Sequence, residues 1–138
     1  MIGFIQGKVI SSDGKKLVLL TKSGLGYEVN YGYFAKLDDE MGIHIYHQIT
    51  DNDQSLWGFN SLEDKRAFEL LKTVNKVGPS KAYPLVSNLG TSALVDAIIL
   101  EQDSVLTSIK GIGKKMAEQI ILSLKDKIKS FGTTINET

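Results

Sequence analysis

A near-repeat offset by 35 positions, from Val74 to Ile109, constrains this chain more than any other feature of its sequence. Residues 74–82 read VNKVGPSKA and residues 109–117 read IKGIGKKMA. In each copy an apolar residue, two spacers, a second apolar residue and a glycine precede a stretch with helical periodicity. This arrangement is typical of a helix-hairpin-helix unit. Neither unit alone buries enough apolar surface to be stable, so we expect the two to pack together with their hairpins close to each other.

Each hairpin places a glycine just before a helix, where backbone N–H groups lack partners. The helix dipole adds partial positive charge at that end, which makes it a seat for a phosphate. Glycine also lets the backbone approach an oxygen closely. The residues predicted to bind DNA are Lys76, Val77, Gly78, Lys81, Gly111, Ile112, Gly113, Lys114 and Lys115. The alternative is that these glycines only form tight turns.

Charge is distributed unevenly along a chain whose formal net charge is zero. Residues 1–62 carry five Lys/Arg against seven Asp/Glu, and residues 63–138 carry eleven against nine. Within 110–129 there are six lysines and two acids. This polarity favours an anionic partner for the second half, although a lysine-rich helix can also be an ordinary solvated face.

The first 60 residues carry strand patterns. Five short stretches rich in β-forming residues are separated by turns containing Gly or Asp; they are 2–10, 16–21, 27–31, 43–49 and 55–59. Five such strands predict a small closed barrel such as the OB-fold. The predicted fold class is therefore α+β, with an N-terminal five-stranded OB-fold β-barrel followed by an all-α domain of two helix-hairpin-helix motifs.

From Ser61 onward the apolar period becomes helical. Ser61 predicts an N-cap, Thr91 with Ser92 a second cap, and Asp103 a third. Pro84 removes one hydrogen bond from the helix that follows the first hairpin. The last helix is predicted over 114–129. We divide the chain into a barrel (1–62), a tandem helix-hairpin-helix domain (63–129) and a flexible tail or start of a linker (130–138).

The ordered motifs of both halves resemble the RuvA family, which binds Holliday junctions. They are MIG at 1–3, GLGYEV at 24–29, WGF at 57–59, VGP at 77–79 and GIGKK at 111–115. The resemblance covers residues 1 to about 129. It implies a fourfold-symmetric tetramer, or a double tetramer, that holds four-way junction DNA open and flat. It also implies a RuvB-type ATPase and a RuvC-type resolvase as partners. RuvA-like proteins continue into a mobile third domain that contacts RuvB, so we expect this chain to be truncated.

The resemblance assigns an acidic pin to Asp51, Asn52 and Asp53, between the fourth and fifth strands. Carboxylates projecting into the centre of a junction would repel phosphates and disfavour ordinary duplex there. Two simpler explanations stay open. These residues also favour a hydrogen-bonded turn, and two carboxylates could hold Mg²⁺ weakly.

The first hairpin departs from the family's usual Gly-Val-Gly-Pro-Lys. Lys76 stands in place of the first glycine and Ser80 in place of the lysine. If the turn needs a positive φ at this position, Lys76 is strained there. The same residue could instead offer its ammonium group to a phosphate.

Other candidate side chains have structural explanations. His44 and His47 lie three apart in a predicted strand and should face opposite sides, which disfavours a shared metal. Trp57 and Phe59 fit a barrel core better than base stacking. Tyr31 and Tyr33 are compatible with either role.

No catalytic set is visible, and no cofactor or metal is expected. The sequence contains no Gly-x-x-x-x-Gly-Lys-Ser/Thr motif, so we expect no ATP hydrolysis. There is no cysteine, no run of roughly 20 apolar residues and no secretory signal pattern, which fits a cytoplasmic protein without a membrane partner. The rival classes are a helix-hairpin-helix glycosylase or lyase using Lys115 or Asp126, and an OB-fold interaction module.

Overall fold

The computed structural model describes residues 1–131 and divides the chain into two compact units. One unit runs from Met1 to Lys65 and the other begins at Arg66. This division falls three residues after the boundary that the change of apolar period predicts. Residues 132–138 of the predicted tail lie outside the described part of the chain.

The first unit is a closed five-stranded barrel, as the strand pattern predicts. Its strands are β1 (Phe4–Ser12), β2 (Lys16–Leu20), β3 (Gly26–Asn30), β4 (Glu40–Ile49) and β5 (Gln54–Phe59). They are hydrogen-bonded in the order β1-β2-β3-β5-β4, and β4 pairs back onto β1. All neighbours are antiparallel except β3 and β5, which run parallel and align at Asn30 and Trp57.

Alternation of side chains fills the barrel. Along β1, Ile5 and Val9 point inward while Phe4, Gln6 and Lys8 face outward. The core is formed by buried side chains from all five strands and the residue after β3; they include Val9, Leu17, Leu19, Val29, Tyr31, Ile43, Ile45 and Phe59.

Gly58 is required by close packing inside this barrel. A Cβ at Gly58 would lie 2.8 Å from both Ile43 Cγ2 and Val29 Cγ1. The glycine of the WGF motif therefore serves the barrel core, because no larger residue fits without moving its neighbours.

The second unit is helical. Its elements are α1 (Leu62–Lys72, which begins in the first unit), α2 (Pro79–Ser87), α3 (Thr91–Ile99), α4 (Asp103–Thr107), α5 (Lys114–Leu124) and a 3-10 turn (Ile128–Ser130). Helix α1 begins as predicted, since the Asp64 N–H donates to Ser61 Oγ at 3.1 Å. No single helix in residues 1–131 is long and apolar enough to span a membrane; α2 and α3 reach that length and composition only as a pair bent by 103°.

Three predicted helix boundaries are wrong. The cap of α3 is Gly90, with φ of 91°, and Thr91 is buried inside the first turn. The cap of α4 is Gln102, one residue before Asp103. Helix α5 ends at Leu124 rather than at residue 129, because the chain turns there and buries Ile128 through the 3-10 turn.

Candidate nucleic-acid interface

The two hairpins have the same backbone hydrogen bonds. The Val77 N–H donates to the Val74 carbonyl at 3.1 Å, and the Ile112 N–H donates to the Ile109 carbonyl at 3.1 Å. The secondary-structure states of residues 73–79 and 108–114 are identical, position by position. The near-repeat in the sequence is therefore a repeat in three dimensions.

One matched contact was not foreseen from the sequence. Thr73 Oγ1 donates to the Leu70 carbonyl and Ser108 Oγ donates to the Val105 carbonyl, each at 2.6 Å. The two hydroxyl residues are again 35 positions apart. Their shared chemistry extends the repeat by one residue at its N-terminal side, and this spacing was the signal that could have revealed them.

Both turns pass through the left-handed region of backbone space at corresponding positions. Lys76 has φ of 70° and Gly111 has φ of 92°. Glycine adopts this conformation freely, whereas a residue with a Cβ is strained there. The first hairpin therefore keeps the geometry of the second despite its lysine.

Each hairpin ends at an N-cap glycine that is open to approach. Gly78 (φ −90°, ψ −178°) precedes α2 and Gly113 (φ −84°, ψ 170°) precedes α5. No side chain caps either helix, and a Cβ at either glycine would meet nothing within 4 Å. The positive ends of both helix dipoles are thus accessible to an anion.

Val77 and Ile112, two of the predicted contact residues, stabilise the interior of the hairpins. The side chains of Val77 and Ile112 are buried, and their N–H groups already donate within the hairpins. Any donors offered to DNA would therefore come from the cap glycines and the first helical turns, not from these two amides.

The lysines of the site differ in their surroundings. Lys76, Lys114 and Lys115 are exposed around the turns. Lys81 is half-buried, and its Nζ lies at the second hairpin, where it would be 3.0 Å from a Cβ placed on Gly111. The two hairpins therefore lie close together, and a lysine of the first reaches the glycine of the second.

The acidic loop is exposed and is closed by Thr50 rather than by its carboxylates. The Thr50 N–H and Oγ1 both donate to the Asp53 carbonyl, at 2.9 and 3.1 Å, and the Asp53 N–H donates to Thr50 Oγ1. Among residues 1–131, no group donates a hydrogen bond to the Asp51 or Asp53 carboxylate, and no cation forms an ion pair with either of them. Asp51, Asn52 and Asp53 thus stand at the tip of the β4–β5 hairpin with free side chains.

The remaining candidates have structural roles. His47 Nδ1 accepts from the Ile2 N–H at 3.1 Å, and its Nε2 lies 2.9 Å from Gln54 Oε1. His44 lies on the other face of β4, with its ring edge-on to Phe4. No cluster of metal-ligating side chains occurs in the described part of the chain.

The aromatic candidates belong to the barrel. Phe59 and Tyr31 are buried, and the Tyr31 hydroxyl donates to Asn60 Oδ1. Burial raises the pKa of Tyr31 more than this hydrogen bond lowers it. Trp57 is half-buried, and its Nε1 donates to Ser55 Oγ at 2.9 Å.

The geometry does not favour a glycosylase or lyase. Lys115 lies in the first turn of α5, whereas Asp126 follows the end of that helix. Eleven residues of helical rise separate such positions by about 16 Å, so the two side chains do not form one site, and each of them is exposed to solvent.

Comparison with known proteins matches both units. Residues 1–58 match the model of the RuvA N terminal domain, and residues 68–126 match that of the SAM-like helix-hairpin-helix tandem. A protein of Thermosipho africanus named Holliday junction branch migration complex subunit RuvA is 38% identical over 141 positions, covering 99% of this chain and 74% of the relative. Relatives of the same name from Legionella pneumophila (strain Corby) and Exiguobacterium sp. are 30% and 34% identical; the matches cover 100% and 95% of this chain, and 72% and 68% of those proteins.

Proposed function

The chain belongs to the RuvA family, and on that premise we propose that it binds Holliday junctions by their shape and holds them open for branch migration. The observation that carries the proposal is the pair of matched, uncapped glycine hairpins in the tandem helix-hairpin-helix unit. The chain contributes DNA binding, and we assign it no catalytic step. Its role lies in recombination and repair, and we propose that it acts in the cytoplasm.

The hairpins act on the sugar–phosphate backbone. Helix N-termini at Gly78 and Gly113 bind phosphate oxygens, while Lys76, Lys114 and Lys115 add positive charge. Contacts to phosphates carry no information about base sequence. Affinity should therefore depend on the path of the backbone and fall with salt as counterions are released.

The acidic loop supplies selectivity. The free carboxylates of Asp51 and Asp53 stand at an exposed tip. In an assembly with fourfold symmetry, four such tips would meet at the crossover and repel a continuous duplex. Asn52, between them, adds no charge.

Assembly and partners follow from the same role. We propose a homotetramer or double tetramer, with a RuvB-type ATPase and a RuvC-type resolvase as partners in the complete system. We also propose a functional division into a barrel at 1–62 and a DNA-binding domain at 63–129.

A gel-shift series tests this function. The chain is titrated against a four-way junction, a fork and a linear duplex of the same base composition, at several salt concentrations. We expect the junction to bind at least tenfold more tightly than the duplex, with a log–log salt slope that corresponds to several phosphate contacts. Equal affinity for junction and duplex would refute the proposal.

Charge reversal at the second hairpin identifies the surface responsible. Lys114→Glu combined with Lys115→Glu should weaken junction binding at least tenfold and reduce the salt slope by about two. Lys127→Glu with Lys129→Glu makes the same change of charge beyond the other end of α5 and should have little effect. An unchanged slope in the first variant would exclude this hairpin as a DNA contact.

A further inference from the structure

Lys81 occupies an unusual position for a residue of the first hairpin. It lies in the first turn of α2, yet its Nζ is at the second hairpin, where a Cβ on Gly111 would be 3.0 Å from Nζ and 3.8 Å from Cδ. Because Gly111 has no side chain, the ammonium group can rest against its backbone. The long lysine side chain thus bridges from one repeat to the other.

The charge of Lys81 is not neutralised. The ion pairs of residues 1–131 join Lys8 to Asp38, Lys16 to Glu28 and Lys125 to Glu101, and none involves Lys81. The side chain is half-buried. A partly desolvated ammonium group without a carboxylate partner gains more from an anionic ligand than a fully solvated one does.

The surroundings of Gly111 offer such a ligand a place. Gly113, two residues later, caps α5 without a side-chain acceptor and has open space above it. The Lys81 ammonium therefore lies beside Gly111, two residues before the uncapped N-terminus of α5. An anion bound at this turn would be attracted by both positive groups.

We propose that Lys81 serves the second hairpin, where its ammonium group helps to hold the phosphate bound at the N-terminus of α5 and so couples the two hairpins. This deepens the proposed function and rests on it. Ser80 stands where the family resemblance leads one to expect the lysine of the first hairpin. The displaced lysine then serves the other repeat, and the exposed Lys76 is left as the cation of the first.

Double-mutant cycles on junction affinity test the assignment. Lys81→Gln should weaken binding about tenfold and reduce the salt slope by about one, while Lys81→Arg should restore both. Residues that share one ligand are coupled and distant ones are additive. We expect Lys81→Gln to deviate at least threefold from additivity with Lys114→Gln, but to combine within twofold of additivity with Lys76→Gln.

The controls separate this inference from the function on which it rests. Lys127→Gln removes the same charge beyond the far end of α5 and should leave affinity nearly unchanged, and thermal unfolding of each variant checks the fold. Additivity of Lys81→Gln with Lys114→Gln, or coupling to Lys76 instead, would overturn the role of Lys81 alone. A wild-type chain that does not prefer junctions would overturn the proposed function as well.

Discussion

Lys76 shows how the chain keeps a backbone shape that its own residue disfavours. Its φ of 70° matches the 92° of Gly111, although only the glycine is free of a Cβ. The left-handed conformation costs a non-glycine residue about 1–2 kcal/mol. The turn around it, in which the Val77 N–H donates to the Val74 carbonyl, holds the residue in place. A strained cation at a proposed ligand site is consistent with selection for its charge rather than for stability.

Replacing Lys76 by glycine should separate these two contributions. Lys76→Gly should raise the free energy of unfolding by about 0.5–1 kcal/mol, because relief of strain exceeds the entropy lost by a more flexible residue. The same variant should bind junctions more weakly, because a cation is lost. Chemical denaturation and gel shifts measure the two effects. Lys22→Gly, at an exposed position, is the comparison, and a loss of stability at Lys76 would contradict the strain argument.

Because of Tyr31, we expect the free energy of unfolding to depend on pH in the alkaline range. Burial raises the pKa of its hydroxyl above the ordinary 10.0 in the folded state. A raised pKa contributes stability that is complete below pH 10 and is lost as the pH rises through the folded-state value. Tyr31→Phe should therefore lose less stability than the wild type between pH 9 and 11.

The comparison at neutral pH provides the internal control. At pH 7 Tyr31→Phe should be less stable by about 1 kcal/mol, since the hydroxyl no longer donates to Asn60. Denaturant titrations of the wild type and the variant, at pH 7 and between pH 9 and 11, measure the free energies of unfolding that are compared. Parallel pH profiles for the two proteins would show that Tyr31 does not titrate with unfolding.

Elements follow the sequence closely where periodicity determines them. The five stretches of β-forming residues predicted the barrel, and the Ser61 cap predicted the start of α1. The cap of α3 was predicted at Thr91 and Ser92 because both residues are common N-caps. The cap is Gly90 instead, since the chain turns there through a positive φ. The contact of Lys81 with the second hairpin could not be predicted, since it joins residues 30 apart through packing of the helices.

We expect the acidic loop between β4 and β5 to contribute to the selectivity for junctions over linear duplex. Asp51→Asn with Asp53→Asn removes two free charges while Thr50 still closes the loop. We expect duplex binding to strengthen severalfold and junction binding to change less, so that the junction-to-duplex ratio falls. Competition gel shifts measure this ratio.

A matched variant distinguishes charge from loop structure. Asp39→Asn with Glu40→Gln removes the same charge from another exposed part of the barrel and should leave the ratio unchanged. If the Asp51 and Asp53 variant behaves like this one, the acidic loop has no part in selectivity.

At the scale of the whole molecule, both units expose large apolar side chains. Phe34 in the barrel is 85% exposed, and Leu122 in the helical unit is 79% exposed. Exposed apolar residues that gather into patches mark interaction surfaces. Both side chains are open to contact by another copy in the proposed assembly.

Light scattering tests that assembly directly. A tetramer should have a mass of about four times 15.2 kDa, and addition of junction DNA should sharpen the distribution, because a ligand that binds only the assembled form stabilises it. A mass of a single chain at all concentrations, with and without junction, would contradict the assembly.

The contact between β3 and β5 is the shortest pairing of neighbouring strands in the barrel. β3 and β5 align only at Asn30 and Trp57, with Asn30 Nδ2 donating to the Leu56 carbonyl at 3.1 Å, whereas the antiparallel neighbours share longer registers. Local opening of the barrel should begin between β3 and β5. The backbone amides of these two strands at this contact should therefore exchange with deuterium before the amides that pair β4 with β5. Each such opening would bare two strand edges at once, which makes this joint the weak point for misassociation at high concentration.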